Sequence, residues 1–386
     1  MKYLGQLKPN QLKNKTCLLR VDLNIESPGK DAFRLQAILP TIKFLIKNGV
    51  KVVILSHRGR PLKATNEKRQ ATSYSLKSFA KILSRLIKKP VHFIDFKKGF
   101  NVSEISDTIT RDSILLLENL RFLPEEEKND KDFAKALASL GDIFINDAFA
   151  VSHRKNASVE AITHFLPSYA GLLLEKEIEN LDAVMKKFKK PLVIILGGAK
   201  VSDKIGLINN FLKKADYFLI GGAMANTFFA LQGLPVGDSF YEKIRIDGKI
   251  TREITRKIIL PIDAVLYKRK ILDIGRETAK KYNEIIQKAE TIIWNGPMGM
   301  FEDKKFAKGT EEIAAAVFKN KKAKIVIGGG ETIASLKISP YEGSLEGRKN
   351  QKSKIKSNVF FSTGGGAMLE YLAGEKLPGI EALKNN

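Results

Sequence analysis

The stretch LVIILGGAKVSDK, residues 192–204, contains the pattern that decides the fold. Its first five residues, 192–196, form a short β-branched run without charge, which is typical of a strand buried on both faces of a parallel sheet. Gly197 and Gly198 follow, and glycine permits both a sharp turn and the close approach of a ligand to the backbone. The stretch therefore predicts a buried strand that ends at a glycine turn.

The residues after the turn predict an anion-binding helix start. Ser202 is the expected N-cap of a helix that begins near Asp203, where unpaired N–H groups and the positive end of the helix dipole collect. Lys200 and Lys204 add two charges at the same place. A plain βα turn with two solvated lysines is the alternative, and the motif alone does not decide between them. Neither GxxxxGK[ST] nor GxGxxG occurs in the chain.

Length and composition indicate a soluble protein of two domains. The 386 residues exceed the size at which a single core usually stops growing. No apolar run reaches the roughly 18 residues that span a bilayer, and MKYLGQLKPN lacks the apolar segment of a signal peptide, so we expect a cytoplasmic protein without membrane contact. Cys17 is the single cysteine, which excludes an intrachain disulfide and a cysteine-based zinc cluster.

The net charge of +24 raises the question of a nucleic-acid or membrane-surface partner. Lysine supplies 51 of the 66 basic residues and arginine only 15. Lysine spread along helices is typical of a solvated face, whereas base readout and stacking favour arginine and exposed aromatic rings. We therefore expect small anionic substrates and no specific nucleic-acid binding, and a nucleotide-dependent nucleic-acid-binding protein remains the alternative of a different class.

Short apolar strands alternate with helical segments along the whole chain. This alternation predicts βαβ units, and hence an α/β fold of two doubly wound, parallel-sheet, Rossmann-like domains. The expected strands lie near 17–22, 51–55, 91–94, 114–117, 142–145, 192–196, 216–220, 262–266, 291–294, 324–327 and 359–361. The expected helices of the first half lie at 35–48, 75–88 and 131–139.

A long charged amphipathic segment marks the domain boundary. We expect a first domain at 1–170, an interdomain helix at 171–190 that ends at Pro191, and a second domain at 191–367. A patch rich in Gly, Ser and Lys, from about 339 to 356, predicts an exposed flexible loop.

The residues that follow the strands differ between the two halves. In open α/β sheets, ligands bind outside the carboxyl ends of the strands, so these positions are the candidate site. In the first half they are mainly polar and basic, namely Asp22, Asn24, His57, Arg58, Arg60, Arg121, Asp147 and Arg154. In the second half they are mainly glycine, namely Gly197, Gly198, Gly221, Gly222, Gly296, Gly328 to Gly330 and Gly364 to Gly366. Arginines suit a small phosphorylated or carboxylated acid, and glycine-rich helix starts suit a nucleotide, so the pair suggests transfer between two ligands.

Ten motifs in one order resemble those of the phosphoglycerate kinase family, from about residue 17 to 383. They are RVDLN, LSHRGRP, LLLENLRF with EEEKND, NDAFAVSHR, LGGAKVSDK, IGGAMANTF, WNGPMGMFE, FAKGT, GGGE and STGGGAMLEYLAGEKLPGIEAL. The resemblance implies reversible phosphoryl transfer between 1,3-bisphosphoglycerate and ADP, giving 3-phosphoglycerate and MgATP, in glycolysis. It also implies a hinged monomer in which the first domain, joined by residues 368–386, binds the acid and the second binds the nucleotide.

The resemblance implies a role for individual residues. The acid is expected to contact Asp22, Asn24, Arg34, His57, Arg58, Gly59, Arg60, Arg121 and Arg154. The nucleotide is expected to contact Gly198, Ala199, Lys200, Lys204, Gly222, Asn295, Glu302, Gly328, Gly329, Gly330, Glu331 and Thr332. Arg34, Lys200, Gly365 and Gly366 are expected to surround the phosphoryl group in transfer. Glu331, where the family usually has Asp, is expected to hold the nucleotide's Mg²⁺ directly or through water.

No Asp/His pair is placed as a general base, which agrees with this chemistry. The reacting carboxylate and phosphate oxygens are ionised at neutral pH, so catalysis reduces to positioning and charge neutralisation. We expect both ligands together to close the domains, with hinges near 177–190 and 260–263. A dinucleotide oxidoreductase is a second enzyme alternative, which the missing GxGxxG fingerprint disfavours.

Overall fold

The computed structural model describes residues 1–25, 32–61, 73–96, 99–110, 113–244, 256–336 and 358–386. These residues divide into two compact units. The first unit contains Met1–Ile178 and Lys376–Asn386, and the second contains 179–336 and 358–375. The predicted loop at 339–356 lies outside the described residues.

The first unit is built on a six-stranded parallel sheet in the order β3-β4-β2-β1-β5-β6. Its strands are β1 (Thr16–Arg20), β2 (Lys51–Leu55), β3 (His92–Ile94), β4 (Ile114–Leu117), β5 (Ile143–Asn146) and β6 (Ser168–Ala170). Every residue of β1, β4 and β5 is buried, as expected of strands covered on both faces. The sequence predicted the first five strands within one or two residues, and it missed β6.

Helices cover both faces of this sheet, and one face carries a core that includes Leu19, Ile54 and Leu116. The helices are α1 (Pro9–Leu12), α2 (Ala32–Lys47), α3 (Lys77–Ile87), α4 (Val102–Asp107), α5 (Pro124–Glu127) and α6 (Lys131–Ala138). Short 3₁₀ turns lie at Leu4–Gln6, Leu120–Phe122, Phe149–Val151 and Ala161–His164. Helix α6 shows how the sequence directs packing, because Phe133, Ala134 and Leu137 follow the helical repeat and all three are buried.

The second unit is built on a six-stranded parallel sheet in the order β14-β13-β12-β7-β8-β9. Its strands are β7 (Leu192–Leu196), β8 (Tyr217–Ile220), β9 (Ile258–Ile259), β12 (Thr291–Asn295), β13 (Lys324–Gly328) and β14 (Val359–Ser362). Strand β7 pairs with β12 in register, Leu192 opposite Thr291 through Leu196 opposite Asn295. The glycine turn after β7 therefore lies beside the end of β12.

One predicted strand of the second unit forms a strand but lies outside the parallel sheet to which the sequence pattern assigned it. The residues near 262–266 belong to an antiparallel hairpin of β10 (Ala264–Tyr267) and β11 (Lys270–Ile274), outside the parallel sheet. Leu266 is 66% exposed and Tyr267 50% exposed, so the apolar residues of β10 are not those of a buried central strand. The strand that continues the sheet after β8 is the two-residue β9.

Three of the six helices described wholly within the second unit, those that begin at Gly222, Gly330 and Gly366, start at glycine-rich ends of parallel strands. The six are α8 (Ile205–Phe211), α9 (Gly222–Leu231), α10 (Arg276–Lys288), α11 (Lys308–Lys319), α12 (Gly330–Ser335) and α13 (Gly366–Ala373). The boundary between the units falls within one helix, α7 (Leu172–Lys186), after Ile178. The last helix, α14 (Pro378–Lys384), belongs to the first unit, where the Gly379 N–H donates to the Ser152 carbonyl. None of the helices described is both long and apolar enough to cross a bilayer.

Candidate functional site

A buried ion pair lies at the carboxyl end of β1 in the first unit. Arg20 is 1% exposed, and its Nη2 lies 4.0 Å from Oε1 of fully buried Glu126. Ser158 bridges the two side chains, because its hydroxyl accepts from Arg20 Nε at 2.9 Å and donates to Glu126 Oε1 at 2.6 Å. Burial lowers the pKa of Arg20, and the charge of Glu126 opposes that shift. The pair therefore fixes a charged guanidinium beneath the candidate acid site.

His57 lies two residues after the end of β2, and the guanidinium of Arg20 holds its ring in one tautomer. Its Nδ1 lies 3.2 Å from Arg20 Nη2. Since arginine can only donate, Nδ1 accepts and the ring proton is on Nε2. Burial lowers the pKa of His57 well below its ordinary value, and Arg20, Arg121, Arg154 and Arg34 lower it further. His57 is thus a neutral donor at physiological pH. We call these four arginines and His57 the arginine cluster.

The loops after β1 and β2 are tied together by polar contacts. Arg34 Nη1 lies 3.1 Å from Asp22 Oδ2 and 3.2 Å from the Asn24 carbonyl. Asn24 Oδ1 accepts from the N–H of Gly59 at 2.8 Å. Gly59 has φ +60°, and a Cβ there would lie 2.3 Å from the ring of Tyr74, so only glycine fits. The structure thus brings together four of the residues predicted to bind the acid.

Arg121 joins the same group from the end of β4. It is 3% exposed, its Nη1 donates to the Gly59 carbonyl at 2.8 Å, and its Nε lies 3.4 Å from Glu127 Oε1. Burial lowers the pKa of Arg121 to about 10, with smaller contributions from the charges of Arg154 and Arg20. Arg121 therefore keeps its charge at neutral pH although it is almost inaccessible.

Two further predicted arginines are more accessible than Arg121. Arg154 is half-buried, and its Nε donates to Nε2 of His153 at 3.2 Å. That contact makes His153 an acceptor, and burial followed by the charge of Arg154 lowers the pKa of His153 to about 4. Arg60 is exposed. Of the two, only Arg154 contributes to the lowered pKa of His57.

Arg58 differs from the other predicted arginines because its donors are used within the protein. Its Nε donates to the carbonyl of Ile25 at 3.0 Å and its Nη1 to that of Ser75 at 3.3 Å. Its guanidinium also lies over the ring of Phe79, 5.6 Å from the centroid. The structure therefore gives Arg58 a role in joining segments of the first unit and does not bring it into the arginine cluster.

In the second unit, the glycines after β7, β8 and β12 allow three loops to touch. A Cβ on Gly197 would lie 2.0 Å from the Pro297 carbonyl oxygen, and one on Gly296 would lie 2.3 Å from the Gly197 oxygen. Gly222 has φ +62°, and a Cβ on this residue would clash with the backbone of Gly198. The amides of Gly197 and Gly198 donate to carbonyls of the β12 loop, at 3.0 and 2.9 Å. The amides of Gly197 and Gly198 are therefore used within the protein, and the glycines of this turn permit the close packing of the loops.

A cavity of about 860 Å³ opens beside this junction of loops. Among the residues predicted to bind nucleotide, it is lined by Gly198, Ala199, Gly222, Glu302 and Glu331. Large apolar side chains supply much of the remaining wall, namely Phe229, Phe240, Tyr267, Leu272, Met298 and Met300. An apolar cavity with a few polar groups at its edge is the usual form of a small-molecule site.

Two other predicted residues, Asn295 and Thr332, make hydrogen bonds that support this junction. Asn295 Nδ2 donates to the Gly328 carbonyl at 3.0 Å, and the hydroxyl of buried Thr332 accepts from the N–H of Gly296 at 2.7 Å. Gly329 has φ +98°, and its neighbour Gly330 is exposed at the start of α12. The structure uses Asn295 and Thr332 to join the ends of β12 and β13.

The segment 199–204, which we call the lysine loop, differs from its prediction. Helix α8 begins at Ile205, and Ser202 does not cap it. Both the N–H and the hydroxyl of Ser202 donate to the carboxylate of Glu242. Lys200 is exposed, whereas Lys204 is 7% exposed, and burial lowers its pKa while Asp203 and Glu331 oppose the shift.

Gly365 and Gly366 lie at the start of α13. Gly365 has φ +45°, and nothing lies within 4 Å of a Cβ built on either glycine. This part of the backbone is therefore open to a ligand, in contrast to the packed glycines after β7 and β12.

Sequence reasoning missed several side chains that hold these groups. Arg20, Glu126 and Ser158 are far apart in the chain, and Glu242 lies 40 residues from its partner Ser202. The position of Arg20 two residues before Asp22 in RVDLN was a usable signal, because Arg20 is the last residue of β1 and Asp22 follows it closely. Nothing in the sequence distinguishes Glu126 from its neighbours in EEE.

The chain is similar to known proteins over its full length. Residues 7–375 match the family model described as phosphoglycerate kinase. A phosphoglycerate kinase of Finegoldia magna is 42% identical, with 98% of each chain covered. One of Pseudothermotoga lettingae is also 42% identical, with the same coverage.

Solved structures show the same similarity in three dimensions. A phosphoglycerate kinase from Pyrococcus horikoshii OT3 matches with a TM-score of 0.80 and 34% identity, covering 100% of this chain and 98% of the other. One from Coxiella burnetii matches with a TM-score of 0.77 and 34% identity, covering 99% and 98%.

Proposed function

Since the chain belongs to the phosphoglycerate kinase family, and so transfers a phosphoryl group reversibly between 1,3-bisphosphoglycerate and ADP in glycolysis, we propose that its two units divide the ligands between them. The first unit, at the arginine cluster, binds the phosphoglycerate. The second unit, at its cavity and lysine loop, binds ADP or ATP. The observation that carries this division is the gathering of guanidinium groups around one neutral histidine in the first unit.

The arginine cluster suits an acid with a phosphate and a carboxylate. Arginine binds such groups in a bidentate manner, and the partners already on Arg34 and Arg121 fix where their remaining N–H groups point. His57 adds one N–H from Nε2 without adding charge. Asn24 and Arg154 complete the proposed contacts, and exposed Arg60 joins them when the acid is bound.

The cavity of the second unit suits a nucleotide. Its apolar wall can cover a flat base such as adenine, while its rim at Gly198, Ala199 and Glu331 lies next to the lysine loop. Phosphates at that rim would meet Lys200 and Lys204. Glu302, also in the cavity wall, can accept hydrogen bonds from the ribose hydroxyls.

In the transfer itself, no side chain is asked to remove a proton. Lys200 and Arg34 neutralise charge on the phosphoryl group, and the open backbone at Gly365 and Gly366 approaches its oxygens. Placing charges where the transition state develops them raises the rate without tightening ground-state binding. Filling both sites is expected to close the two units around the ligands and exclude water.

Magnesium is proposed to enter with the nucleotide. Mg²⁺ usually takes one or two carboxylates from the protein and otherwise phosphate oxygens and water. Glu331, on the rim of the cavity, would hold it, directly or through water. The bound ion would neutralise charge on the β- and γ-phosphates.

A coupled assay of ATP consumption with 3-phosphoglycerate tests this proposal. The chain should turn over, and Arg121→Lys should raise the KM for 3-phosphoglycerate much more than that for ATP, because lysine cannot reproduce the bidentate contact. Lys128→Ala, which removes an exposed charge nearby in the first unit, serves as the control. A larger effect of Arg121→Lys on the KM for ATP would contradict the division of ligands.

The remaining parts of the proposal concern state and partners. We expect a cytoplasmic monomer that does not bind nucleic acid sequence-specifically, because most of its positive charge is lysine. Light scattering would detect a dimer, and nanomolar sequence-selective DNA binding at physiological salt would contradict the expectation on nucleic acid.

A further inference from the structure

The carboxylate of Glu242 makes the contacts that fix the middle of the lysine loop. The Ser202 N–H lies 2.9 Å from Glu242 Oε2, and the Ser202 hydroxyl donates to Oε1. These hydrogen bonds are the largest causes that lower the pKa of Glu242, and the N–H of Val201 contributes as well. One carboxylate thus binds two consecutive residues of the loop between its two lysines.

Glu242 is itself fixed to the core of the second unit. Its backbone N–H donates at 3.0 Å to the hydroxyl of Thr227, a fully buried residue of α9. One residue earlier on that helix, Asn226 Nδ2 donates at 3.1 Å to the carbonyl of Phe240. A continuous set of contacts therefore runs from buried Thr227 through Glu242 to exposed Ser202.

The two lysines of the loop are not paired with the carboxylate of Glu242 in the described part of the chain. Lys200 and Lys204 lie two residues on either side of Ser202, and no ion pair within 4.0 Å joins either lysine to a carboxylate in the described part of the chain. Both lysines nevertheless interact electrostatically with Glu242. The carboxylate binds the backbone and hydroxyl of the loop and forms no ion pair with either ammonium group; Lys200 is exposed and Lys204 is 7% exposed.

We propose that Glu242 is a positioning residue for phosphoryl transfer, which holds the lysine loop so that Lys200 and Lys204 meet the transferred group. This rests on the role proposed above for Lys200. An exposed loop without such a contact samples many conformations, and a misplacement of about 1 Å can cost on the order of 10²-fold in rate.

Glu242 also has an opposing electrostatic effect, which separates positioning from simple charge. A negative charge near the lysines repels phosphates, so its removal alone should favour nucleotide binding. A merely structural Glu242 would lower the melting temperature and leave turnover unchanged. Only positioning predicts that kcat falls while the affinity for nucleotide is kept or improved.

The test compares Glu242→Ala, Glu242→Gln and the double variant Glu242→Ala with Lys200→Ala. We expect Glu242→Ala to lower kcat by roughly 10- to 100-fold with a KM for ATP that is unchanged or lower. Gln keeps one acceptor oxygen, so Glu242→Gln should retain more activity. In the Lys200→Ala background, the further substitution Glu242→Ala should lower kcat by no more than about twofold, because Glu242 acts by positioning the loop that carries Lys200.

Two controls keep the outcomes distinct. Glu290→Ala removes a surface carboxylate of the same unit, paired with Lys322 at 3.0 Å, and should leave kcat unchanged. Hydrogen exchange should show faster exchange at 200–204 in Glu242→Ala and little change elsewhere. Unchanged kcat in Glu242→Ala, or an undiminished loss in the Lys200→Ala background, would overturn the proposal while Lys200 keeps its role. Normal turnover of Lys200→Ala alone would overturn both.

Discussion

The two units hold their positive charges in opposite ways. In the first unit, Arg20 and Arg121 are 1% and 3% exposed and are fixed by carboxylates and carbonyls. In the second unit, Lys200 lies exposed on a loop whose position depends on Ser202 and Glu242. The first arrangement is built before any ligand arrives, because each buried guanidinium needs partners. The second leaves flexible point charges that can follow a phosphoryl group as it moves.

This difference matches the two proposed ligands. An acid that must be recognised by shape benefits from planar, rigid donors, whereas a group that changes position during reaction benefits from lysine's mobile ammonium. Substitutions in either unit test this difference, and the losses expected from them differ in kind. Loss of a buried partner in the first unit should mainly lower the free energy of unfolding. Loss of a lysine in the second unit should mainly lower kcat.

The largest effect is expected for Glu126→Ala. This substitution leaves the charge of Arg20 buried without its partner, which typically lowers the free energy of unfolding by about 3–5 kcal/mol. Urea unfolding followed by circular dichroism should show an earlier transition. Trp294, the single tryptophan, is buried in the second unit, so its fluorescence identifies unfolding there. Glu125→Ala, an exposed neighbour on the same helix, is the control. Equal stability of the two variants would contradict the importance of the buried pair.

Lys200→Ala should give the next largest effect, in turnover alone. By comparison with the loss of one preorganised charge-stabilising group, kcat should fall roughly 10²- to 10³-fold. Because Lys200 is exposed, the unfolding midpoint should not change. Lys213→Ala, an exposed lysine of the same unit, should leave both quantities unchanged. Near-normal kcat would show that Lys200 does not act on the transferred group.

A smaller effect should appear as a pH dependence of stability that originates at His57. The pKa of His57 is lowered in the folded state, so below about pH 6.5 the unfolded chain binds a proton at this residue and the folded chain does not. The free energy of unfolding should therefore be lower at pH 5.5 than at pH 7.5, by about 1 kcal/mol. His57→Gln, which can still accept from Arg20, should lose that part of the acid sensitivity. An identical change with pH in both proteins would contradict a buried, neutral His57.

The sequence predicted most of the fold because the central strands are short, apolar and uninterrupted. Strands β4 and β7 lie where the sequence placed them, at Ile114–Leu117 and Leu192–Leu196. Strand β6, Ser168–Ala170, was missed because three residues carry no periodic signal. The strand near 262–266 was assigned to the parallel sheet because Val265 and Leu266 are apolar, although both lie at the surface.

The candidate site was less predictable than the fold. His57 and Arg121 follow β2 and β4, which pair in parallel, so their strand ends meet at one edge of the sheet as the sequence pattern predicted. The side chains that fix them were not predictable, because a contact such as Arg20 to Ser158 depends on packing between distant segments. The prediction that Ser202 caps a helix was wrong for a related reason. Its local pattern fits an N-cap, but the carboxylate of Glu242, 40 residues away, competes for the same hydroxyl.

Amide chemical-shift mapping of the deuterated full chain tests whether the two units bind different ligands. Saturating 3-phosphoglycerate alone should shift amides around Asn24, His57 and Arg121 in the first unit. MgADP alone should shift amides around Gly198 and Glu331 in the second unit. Shifts from 3-phosphoglycerate centred on Gly198, or from MgADP centred on His57, would contradict the account.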